Sequence, residues 1–382
     1  MAASDTVLIF RSELLPSSET FVVEQALAMR TFRPKFAGLK RLPHGIFSPD
    51  LQTIALTGER SKIPDRIRRR LFCETRYAPR YLQRLARESP VLIHAHFALD
   101  ACLALPVSRR LDVPLVVTLH GYDATRNDEN LRRTSTGRIY LRRRHELWRH
   151  TRLFVCVSEY IRRRALARGF PAEKLWVHHI GVDLNKFRPS GHSPPPQQLV
   201  LFVGRLVENK GCGHLIRAMA GVQQRLPEAR VVVVGDGPLR SALESEARTL
   251  LRQFTFTGMQ PHSEVRRWME KATVLVMPSV EVASGDSEGL GMVMCEAQAL
   301  GLPGIGFRGT GVEEALAHGE SGLLVPSGDE AALAEAIVRV LTDESLRRSL
   351  AIAGRRHAES AFNLHRQTAI LEDKYREVLS AQ

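Results

Sequence analysis

The sequence predicts an α/β protein with two doubly wound domains that face each other across a cleft. The chain has 382 residues, which is more than one hydrophobic core usually supports. Apolar runs of strand length alternate with helical stretches, the pattern of parallel sheets covered by helices on both faces. A proline-rich stretch, RPSGHSPPPQQ (188–198), interrupts this alternation near the middle. We therefore predict domains at 1–190 and 191–362. We further predict that a helix over 363–382 returns to the first domain.

Buried-type strands follow one another along both predicted domains. In the first domain they are VLIF (7–10), VLIHAHF (91–97), PLVVTLHG (114–121), LFVCVS (153–158) and KLWVHHIGVD (174–183). In the second they are LVLFVGRL (199–206), ARVVVVGDGP (229–238), FTFTG (254–258), TVLVMPS (273–279), LPGIGF (302–307) and GLLVPSG (322–328). Three helical stretches finish the chain. Ligands of such sheets bind beyond the carboxyl ends of the strands, so the residues that form the site are expected there.

Composition narrows the class of protein. Hydrophobic residues make up 44% and charged residues 25%, as in ordinary globular proteins. No apolar run reaches 18 residues, so no transmembrane helix is expected, and MAASDTVLIF lacks the features of a signal peptide. The 5 cysteines are scattered without a Cys-x-x-Cys pair, which indicates reduced thiols and a cytoplasmic protein.

Charge is distributed unevenly between the two halves. Residues 1–189 carry a net charge of +16, whereas residues 190–382 carry −3. Within IPDRIRRRLFCETRYAPRYLQRLARE (63–88), an apolar stripe lies among arginines. The stripe is Ile63, Ile67 and Leu71, and the flanking arginines are Arg66, Arg69 and Arg70. A basic amphipathic helix of this kind binds an anionic membrane surface, here the inner face of the cell membrane. The alternative is a core helix with a solvated basic face.

Two glutamates stand out in DSEGLGMVMCEAQALGLP (286–303). The pattern predicts a helix from Gly291, with Glu288 in its entry loop and Glu296 in its second turn. Unpaired backbone N–H groups and the dipole of a helix N-terminus bind anions, and glycines let a ligand approach the backbone. Two carboxylates around an anion site suit a ligand that runs from sugar through diphosphate to ribose. The alternative is a capped surface helix with two solvated glutamates.

Two cations follow the first strand of the second domain. Arg205 and Lys210, in GRLVENKG (204–211), stand where a diphosphate could bind, or they form ordinary surface salt bridges. GDGP (235–238) resembles part of a dinucleotide loop, but Arg240 occupies the position of the third glycine of G-x-G-x-x-G. The sequence therefore favours phosphate binding over a dinucleotide oxidoreductase.

Three histidines lie near strand ends in the first domain. His120 ends the strand of TLHGYD (118–123), and His94 and His96 end the neighbouring strand. Residues two apart share a face of a strand, which a zinc site can use, but no further ligand motif accompanies them. We expect hydrogen-bonded histidines and no metal.

These motifs together resemble the retaining glycosyltransferases of family 4. The resemblance rests on the spaced glutamates around GLG, on Arg205 and Lys210, and on TLHGYD, and it covers almost the whole chain. It implies the GT-B fold, in which two Rossmann-like domains face each other across a cleft. GDSEG (285–289), HAHF (94–97) and PSSETFVVEQ (16–25) are further similar to bacterial exopolysaccharide enzymes of the colanic-acid-pathway kind.

The resemblance implies roles for single residues. Glu296 would hold the ribose of a UDP- or GDP-linked sugar, Glu288 would contact the transferred sugar, and His120 would reach a sugar hydroxyl. The catalytic residues would be His120, Glu288, Arg205 and Lys210. The donor site would comprise Gly204, Arg205, Lys210, Gly289, Leu290, Gly291, Met292 and Glu296.

The implied reaction is transfer of a hexose to a glycan acceptor linked to polyprenyl diphosphate, with no cofactor beyond the donor. The chain has no Asp-x-Asp motif, which agrees with a metal-independent enzyme. The first loop departs from the family because it lacks glycine, and Ser17, Ser18 and Glu19 would line the acceptor side instead.

Other functions remain open at this point. They are a nucleotide-sugar epimerase of related fold, a glycosyltransferase with a soluble acceptor, and a nucleic-acid-binding protein. The last is disfavoured because the basic half lacks a recognisable nucleic-acid module. Donor base, sugar, linkage and oligomeric state are not encoded in any motif that we recognise.

Overall fold

The computed structural model describes residues 5–16, 19–43, 45–46, 51–58, 63–189 and 198–381. The chain divides into two compact units, Met1–Gly181 with Leu364–Gln382, and Val182–Asn363. The predicted boundary at residue 190 lies outside the described residues, as do Ser17 and Ser18 of the first loop.

The first unit contains a sheet of parallel strands with helices between them. Its strands are β1 (Thr6–Phe10), β2 (Glu13–Leu14), β3 (Arg33–Arg41), β4 (Thr53–Thr57), β5 (Pro90–His96), β6 (Leu115–Leu119), β7 (Leu153–Cys156) and β8 (Leu175–Val177). Its helices before residue 181 are α1 (Thr20–Leu27), α2 (Ile63–Thr75), α3 (Pro79–Ala86), α4 (Ala98–Leu111), α5 (Tyr122–Thr125), α6 (Asp128–Arg132), α7 (Ser135–His150) and α8 (Glu159–Ala167).

Strand order in this sheet is β2-β3-β1-β5-β6-β7-β8, with β4 beside β3, and every pair is parallel. The chain moves outward in one direction from β1 and in the other from β5. The loops after these two strands therefore separate at the switch point, where doubly wound sheets bind ligands.

The second unit repeats this architecture. Its strands are β9 (Leu199–Val203), β10 (Arg230–Val234), β11 (Phe254–Gly258), β12 (Val274–Met277), β13 (Gly304–Phe307) and β14 (Gly322–Val325). Its helices are α9 (Cys212–Arg225), α10 (Arg240–Leu250), α11 (His262–Lys271), α12 (Met292–Ala299), α13 (Val312–Ala315), α14 (Glu330–Thr342) and α15 (Glu344–Ala361). Strand order is β11-β10-β9-β12-β13-β14, all parallel, so the switch point lies between β9 and β12.

The last helix, α16 (Leu364–Ser380), belongs to the first unit. One carboxylate oxygen of Glu372 accepts hydrogen bonds from the backbone N–H groups of Arg30, Thr31 and Phe32, at 2.7–3.0 Å. The buried hydroxyl of Tyr375 bonds to Nδ1 of His94 on β5. These contacts tie α16 to the start of β3 and to the sheet.

The predicted fold class is confirmed, since both units contain parallel sheets with alternating helices. The predicted strands of the first sheet need correction. The run KLWVHHIGVD forms a strand only at β8. Strands β2 and β4 and the nine-residue strand β3 were missed. The sequence of β3, RPKFAGLKR, is basic at both ends and does not read as a buried strand. Lys35 is nevertheless buried, because it is paired with Glu88.

Helix α2 exposes the apolar stripe that the sequence predicted. Ile63, Ile67 and Leu71 are 75%, 61% and 45% exposed, while Phe72 is buried. The stripe therefore does not pack into the core of the described structure, and the alternative of a core helix is wrong. In the described part of the chain, no helix has the length and hydropathy needed to span a bilayer.

Candidate functional site

The loop after β9 packs closely against the segment after β12. Gly211 has a φ of +69°, and a Cβ added there would lie 1.8 Å from the carbonyl oxygen of Pro278. Val280 also donates its backbone N–H to the carbonyl oxygen of Asn209 at 2.9 Å. Only glycine permits this approach, which holds the loop between Arg205 and Lys210 at the switch point of the second sheet.

Glycines of GDGP serve the same packing. A Cβ on Gly235 would lie 1.9 Å from the carbonyl oxygen of Gly204, and one on Gly237 would lie 2.5 Å from that of Leu206. Leu206 donates its backbone N–H to the carbonyl oxygen of Asp236 at 2.9 Å. These glycines therefore have a packing reason that is independent of any dinucleotide.

Lys210 and Glu288 form an ion pair across this switch point. Both side chains are largely buried, with 21% and 15% of their surface exposed. Arg205 is exposed at the end of β9, and no carboxylate pairs with it among the residues that the structure describes. The structure thus brings two of the predicted site residues, Lys210 and Glu288, together and leaves the other predicted cation, Arg205, accessible.

Helix α12 presents its N-terminus at the same end of the sheet. Its N-cap residue Gly291 has a φ of +83°, and the helix begins at Met292. The first N–H groups of a helix have no acceptor within it, so those near Leu290, Gly291 and Met292 can bind an anion. Glu288 precedes the helix and Glu296 lies in its second turn, as the sequence pattern predicted.

Glu296 is held by residues that the sequence did not reveal. Its side chain is buried, and its Oε1 lies 3.2 Å from Nε2 of His262, the first residue of α11. Nδ1 of His262 lies 2.8 Å from Nζ of Lys186. Neither residue belongs to a recognisable motif, and the chain separates both widely from Glu296.

Three histidines in the first unit form a stacked row. The ring centroids of His94 and His96 are 4.5 Å apart, and those of His96 and His120 are 5.1 Å apart. Nδ1 of His96 and Nε2 of His120 share a hydrogen bond of 2.9 Å. Nδ1 of His120 is buried and has no hydrogen-bond partner among the described residues.

Burial keeps this row neutral. It lowers the pKa of His94 to about 3, with a further contribution from His178. Burial also holds the pKa of His96 and of His120 well below the ordinary value, and neighbouring histidines and the Arg11 cation act in the same direction. His120 therefore offers a neutral imidazole with one unused nitrogen.

The loop that carries His120 is fixed by a buried carboxylate. Asp123 accepts backbone hydrogen bonds from Ala98 at 3.0 Å, from His120 at 3.2 Å and from Gly121 at 3.0 Å. These bonds join the ends of β5 and β6. Burial raises the pKa of Asp123, and the backbone donors oppose that rise.

Arg11, after β1, is a buried cation that the sequence analysis missed. It is paired with Asp100 and Glu19, and it lies 4.4 Å above the ring of Phe97. Burial alone would lower the pKa of Arg11, but the two carboxylates raise it overall. Phe97 has a φ of +71°, a strained conformation for a bulky residue at the switch point of the first sheet. Glu19, predicted to lie on the acceptor side, is thus engaged by Arg11.

In the described residues, no group of three or more His, Cys, Asp or Glu side chains is arranged to hold a metal ion. In the second unit, Lys210 and its partner Glu288 lie just before the N-terminus of α12 at the switch point, and Arg205 is exposed at the end of β9. Such an arrangement can bind a diphosphate and hydrogen-bond neutral hydroxyl groups next to it.

Sequence profiles of two families match the chain. Residues 197–343 match the glycosyl transferases group 1, and residues 44–186 match glycosyltransferase family 4. The predicted family resemblance is therefore confirmed.

Curated relatives agree with these profiles. The chain is 31% identical to the amylovoran biosynthesis glycosyltransferase AmsK of Erwinia amylovora, over 57% of this chain and 54% of the relative. It is 32% identical to the D-inositol 3-phosphate glycosyltransferase of Frankia alni, over 68% of each chain. The match to the first of these spans only about half of that protein's length.

Among solved structures, the chain is similar to Anabaena Alr3699/HepE in complex with UDP and glucose. The TM-score is 0.76 at 19% identity, over 98% of this chain and 100% of the other. This likeness confirms the predicted GT-B fold.

Proposed function

Because this chain belongs to glycosyltransferase family 4, we propose that it transfers a hexose from a UDP- or GDP-linked sugar to a glycan acceptor. The observation that carries this proposal is the N-terminus of α12, flanked by Glu288 and Glu296 and adjoined by the loop of Arg205 and Lys210. We further propose that anomeric configuration is retained and that no metal ion takes part.

Donor binding follows from the order of these groups. Glu296 accepts hydrogen bonds from the ribose hydroxyls, and the N–H groups at Leu290, Gly291 and Met292 bind the diphosphate. Arg205 supplies a cation that needs no rearrangement, because it is exposed at the end of β9. Gly204 and Gly289 let the donor approach the backbone.

Lys210 has to change partner when the donor binds. In the structure it pairs with Glu288. A diphosphate offers it a doubly charged partner, and Glu288 is then released to accept a hydrogen bond from the transferred sugar. The ion pair therefore keeps both groups near their working positions until the donor arrives.

The chemical step breaks the bond between the anomeric carbon and the phosphate oxygen, and the nucleoside diphosphate leaves with the electron pair. The acceptor oxygen forms the new bond on the same face, and its proton passes to the leaving phosphate. Negative charge develops on the phosphate, where Arg205, Lys210 and the helix N–H groups stabilise it. His120 contributes its unused Nδ1 as a hydrogen-bond partner for a sugar hydroxyl.

The reaction is tested by screening nucleotide sugars for release of the nucleoside diphosphate. We expect release with one UDP- or GDP-linked hexose, stimulation by a polyprenyl-diphosphate-linked glycan, and a product whose anomeric configuration, measured by NMR, matches that of the donor. A soluble acceptor that stimulates release equally would replace the lipid-linked one. Interconversion of sugar nucleotides without any release would instead indicate the epimerase.

We also propose that the first unit binds the inner face of the cell membrane, where a lipid-linked acceptor is found. The support is the exposed stripe of Ile63, Ile67 and Leu71 together with the exposed arginines of α2. Arg69 is partly engaged, since it donates to the hydroxyl of Thr57 at 2.8 Å. The exposed arginines of α2 are Arg66, Arg68 and Arg70, and Nη1 of Arg68 lies 3.7 Å from a carboxylate oxygen of Asp65.

Liposome flotation tests the membrane proposal. Each arginine near an anionic surface contributes about 1 kcal/mol, so changing Arg66, Arg68 and Arg70 to Glu should weaken binding by about 100-fold or more. Binding should require anionic lipid and fall as salt rises. The matched control changes three exposed arginines of the same unit that lie outside α2: Arg132, Arg133 and Arg149. Equal loss in both triple variants, or equal binding to neutral vesicles, would contradict a role for α2.

A further inference from the structure

Lys186, His262 and Glu296 form a hydrogen-bonded chain within the second unit. Nζ of Lys186 lies 2.8 Å from Nδ1 of His262, and Nε2 of His262 lies 3.2 Å from Oε1 of Glu296. The ring of His262 also packs edge-on against the buried ring of Phe187, with centroids 5.4 Å apart. The imidazole is thus fixed on three sides.

The chemistry of lysine sets the direction of every proton in this chain. A lysine ammonium has three donors and no acceptor, so Nδ1 of His262 must accept. The imidazole then carries its hydrogen on Nε2, which donates to Oε1 of Glu296. No other neutral tautomer satisfies both contacts, and a doubly protonated ring would place two donors face to face at Nδ1.

This arrangement fixes how Glu296 is presented. A carboxylate has about four acceptor positions, of which His262 uses one. The remaining positions, including both on Oε2, stay available to a ligand, and the side chain cannot rotate without losing its partner. Lys186 strengthens the hydrogen bond from His262 to Glu296, because its positive charge next to Nδ1 polarises the imidazole and makes the Nε2–H group a better donor.

We propose that His262 and Lys186 are positioning residues that orient the Glu296 carboxylate for a ribose diol. This inference rests on the proposed function, since it takes Glu296 to bind the ribose of the donor. It adds that the recognition of ribose depends on two residues that need not touch the nucleotide.

The test compares a ribonucleotide with its deoxy analogues, which lack one partner of Glu296. Dissociation constants of UDP, 2′-deoxy-UDP and 3′-deoxy-UDP, and of the guanosine series, are measured by calorimetry. We expect the wild-type protein to prefer the ribonucleotide by about tenfold or more, since a hydrogen bond to a charged group contributes roughly 1.5–3 kcal/mol. Glu296→Ala should abolish that preference.

His262→Ala should reduce the ribose preference at least threefold, because it should weaken the ribonucleotide, which has two hydroxyls for Glu296, more than each deoxy analogue, which keeps one. Lys186→Met should reduce it less, because it removes only the outer contact. His262→Gln, which keeps one donor and one acceptor, should lose less than His262→Ala. Lys271→Met is the matched control, because Lys271 is an exposed lysine at the other end of α11 from His262. It should leave the ribose preference unchanged.

The outcomes separate the inference from the proposed function. If His262→Ala weakens ribo- and deoxynucleotides by the same factor, the residue supports the fold or the base, and the positioning role is overturned while Glu296 keeps its role. If Glu296→Ala leaves the ribose preference intact, or no nucleotide binds the wild-type protein, the proposed function fails and the inference fails with it. Thermal denaturation of each variant checks that the fold is retained.

Discussion

Replacing Gly211 with alanine should disturb the loop that carries Lys210 and slow the proposed transfer. The added Cβ would lie 1.8 Å from the carbonyl oxygen of Pro278, whereas such contacts are essentially never under 3.0 Å. This oxygen belongs to the backbone of the segment after β12, so it cannot rotate away as the end of a side chain could. The loop and the strand end must therefore separate by about 1 Å or more.

The substitution should affect both the turnover and the stability of the protein. A displacement of about 1 Å in a catalytic group can reduce the rate about 100-fold. The left-handed conformation costs a non-glycine residue about 1–2 kcal/mol, and the overpacking adds about 1–3 kcal/mol. We thus expect turnover to fall about 100-fold and the free energy of unfolding to fall by about 2–5 kcal/mol.

Gly328→Ala is the matched control. Gly328 has a φ of +76°, close to that of Gly211, but an added Cβ meets nothing within 4 Å. The Gly328→Ala variant should lose about 1–2 kcal/mol of stability and keep the turnover of the wild-type protein. Nucleoside diphosphate release and thermal denaturation measure both quantities. Equal turnover in the two variants would show that the close approach to Pro278 does not position Lys210.

Further predictions address other parts of the chain. Glu296→Ala should weaken donor binding by roughly 1.5–3 kcal/mol in calorimetry, whereas Glu288→Ala should mainly lower turnover; full activity in both would refute their assignment. Arg205→Ala should impair turnover strongly and EDTA should not, so activity restored by magnesium after EDTA would contradict a metal-free reaction. Glu372→Ala leaves the buried N–H of Phe32 without its acceptor and should speed amide exchange in α16, measured by mass spectrometry, by about tenfold or more. Burial holds the pKa of His94 at about 3 against an ordinary 6.5. Between pH 3 and 6.5 the unfolded chain therefore binds a proton at His94 that the folded protein does not. The free energy of unfolding should therefore fall as pH drops from 6.5 toward 3, and thermal denaturation that is insensitive to pH across this range would contradict it.

Sequence reasoning succeeded where one local pattern determines the backbone. Apolar runs predicted the central strands of both sheets, because buried parallel strands need apolar residues on both faces. The helix after Gly291 and the positions of Glu288 and Glu296 around its start follow from the same local rules. Strand ends then indicated where the polar side chains had to gather.

Reasoning from the sequence failed where a contact joins distant parts of the chain. Strand β3 was missed because Lys35 looks unsuited to a buried strand until its partner Glu88 is known. Arg11 carries no motif, and only the fold brings Asp100 to it. His262 and Lys186 were missed for the same reason, since periodicity does not report which loop meets which helix.

The position of α16 in the first unit has a consequence for how the protein is made. The ribosome releases Glu372 and Tyr375 only after the whole of Val182–Asn363 has been synthesised. At about 5–20 residues per second, that takes about 10–40 s, during which the N–H groups of Arg30, Thr31 and Phe32 have no carboxylate partner. The unit that begins first is therefore completed last, and a nascent chain that stalls before α16 leaves the His94 side of its sheet uncovered for chaperones and proteases to recognise.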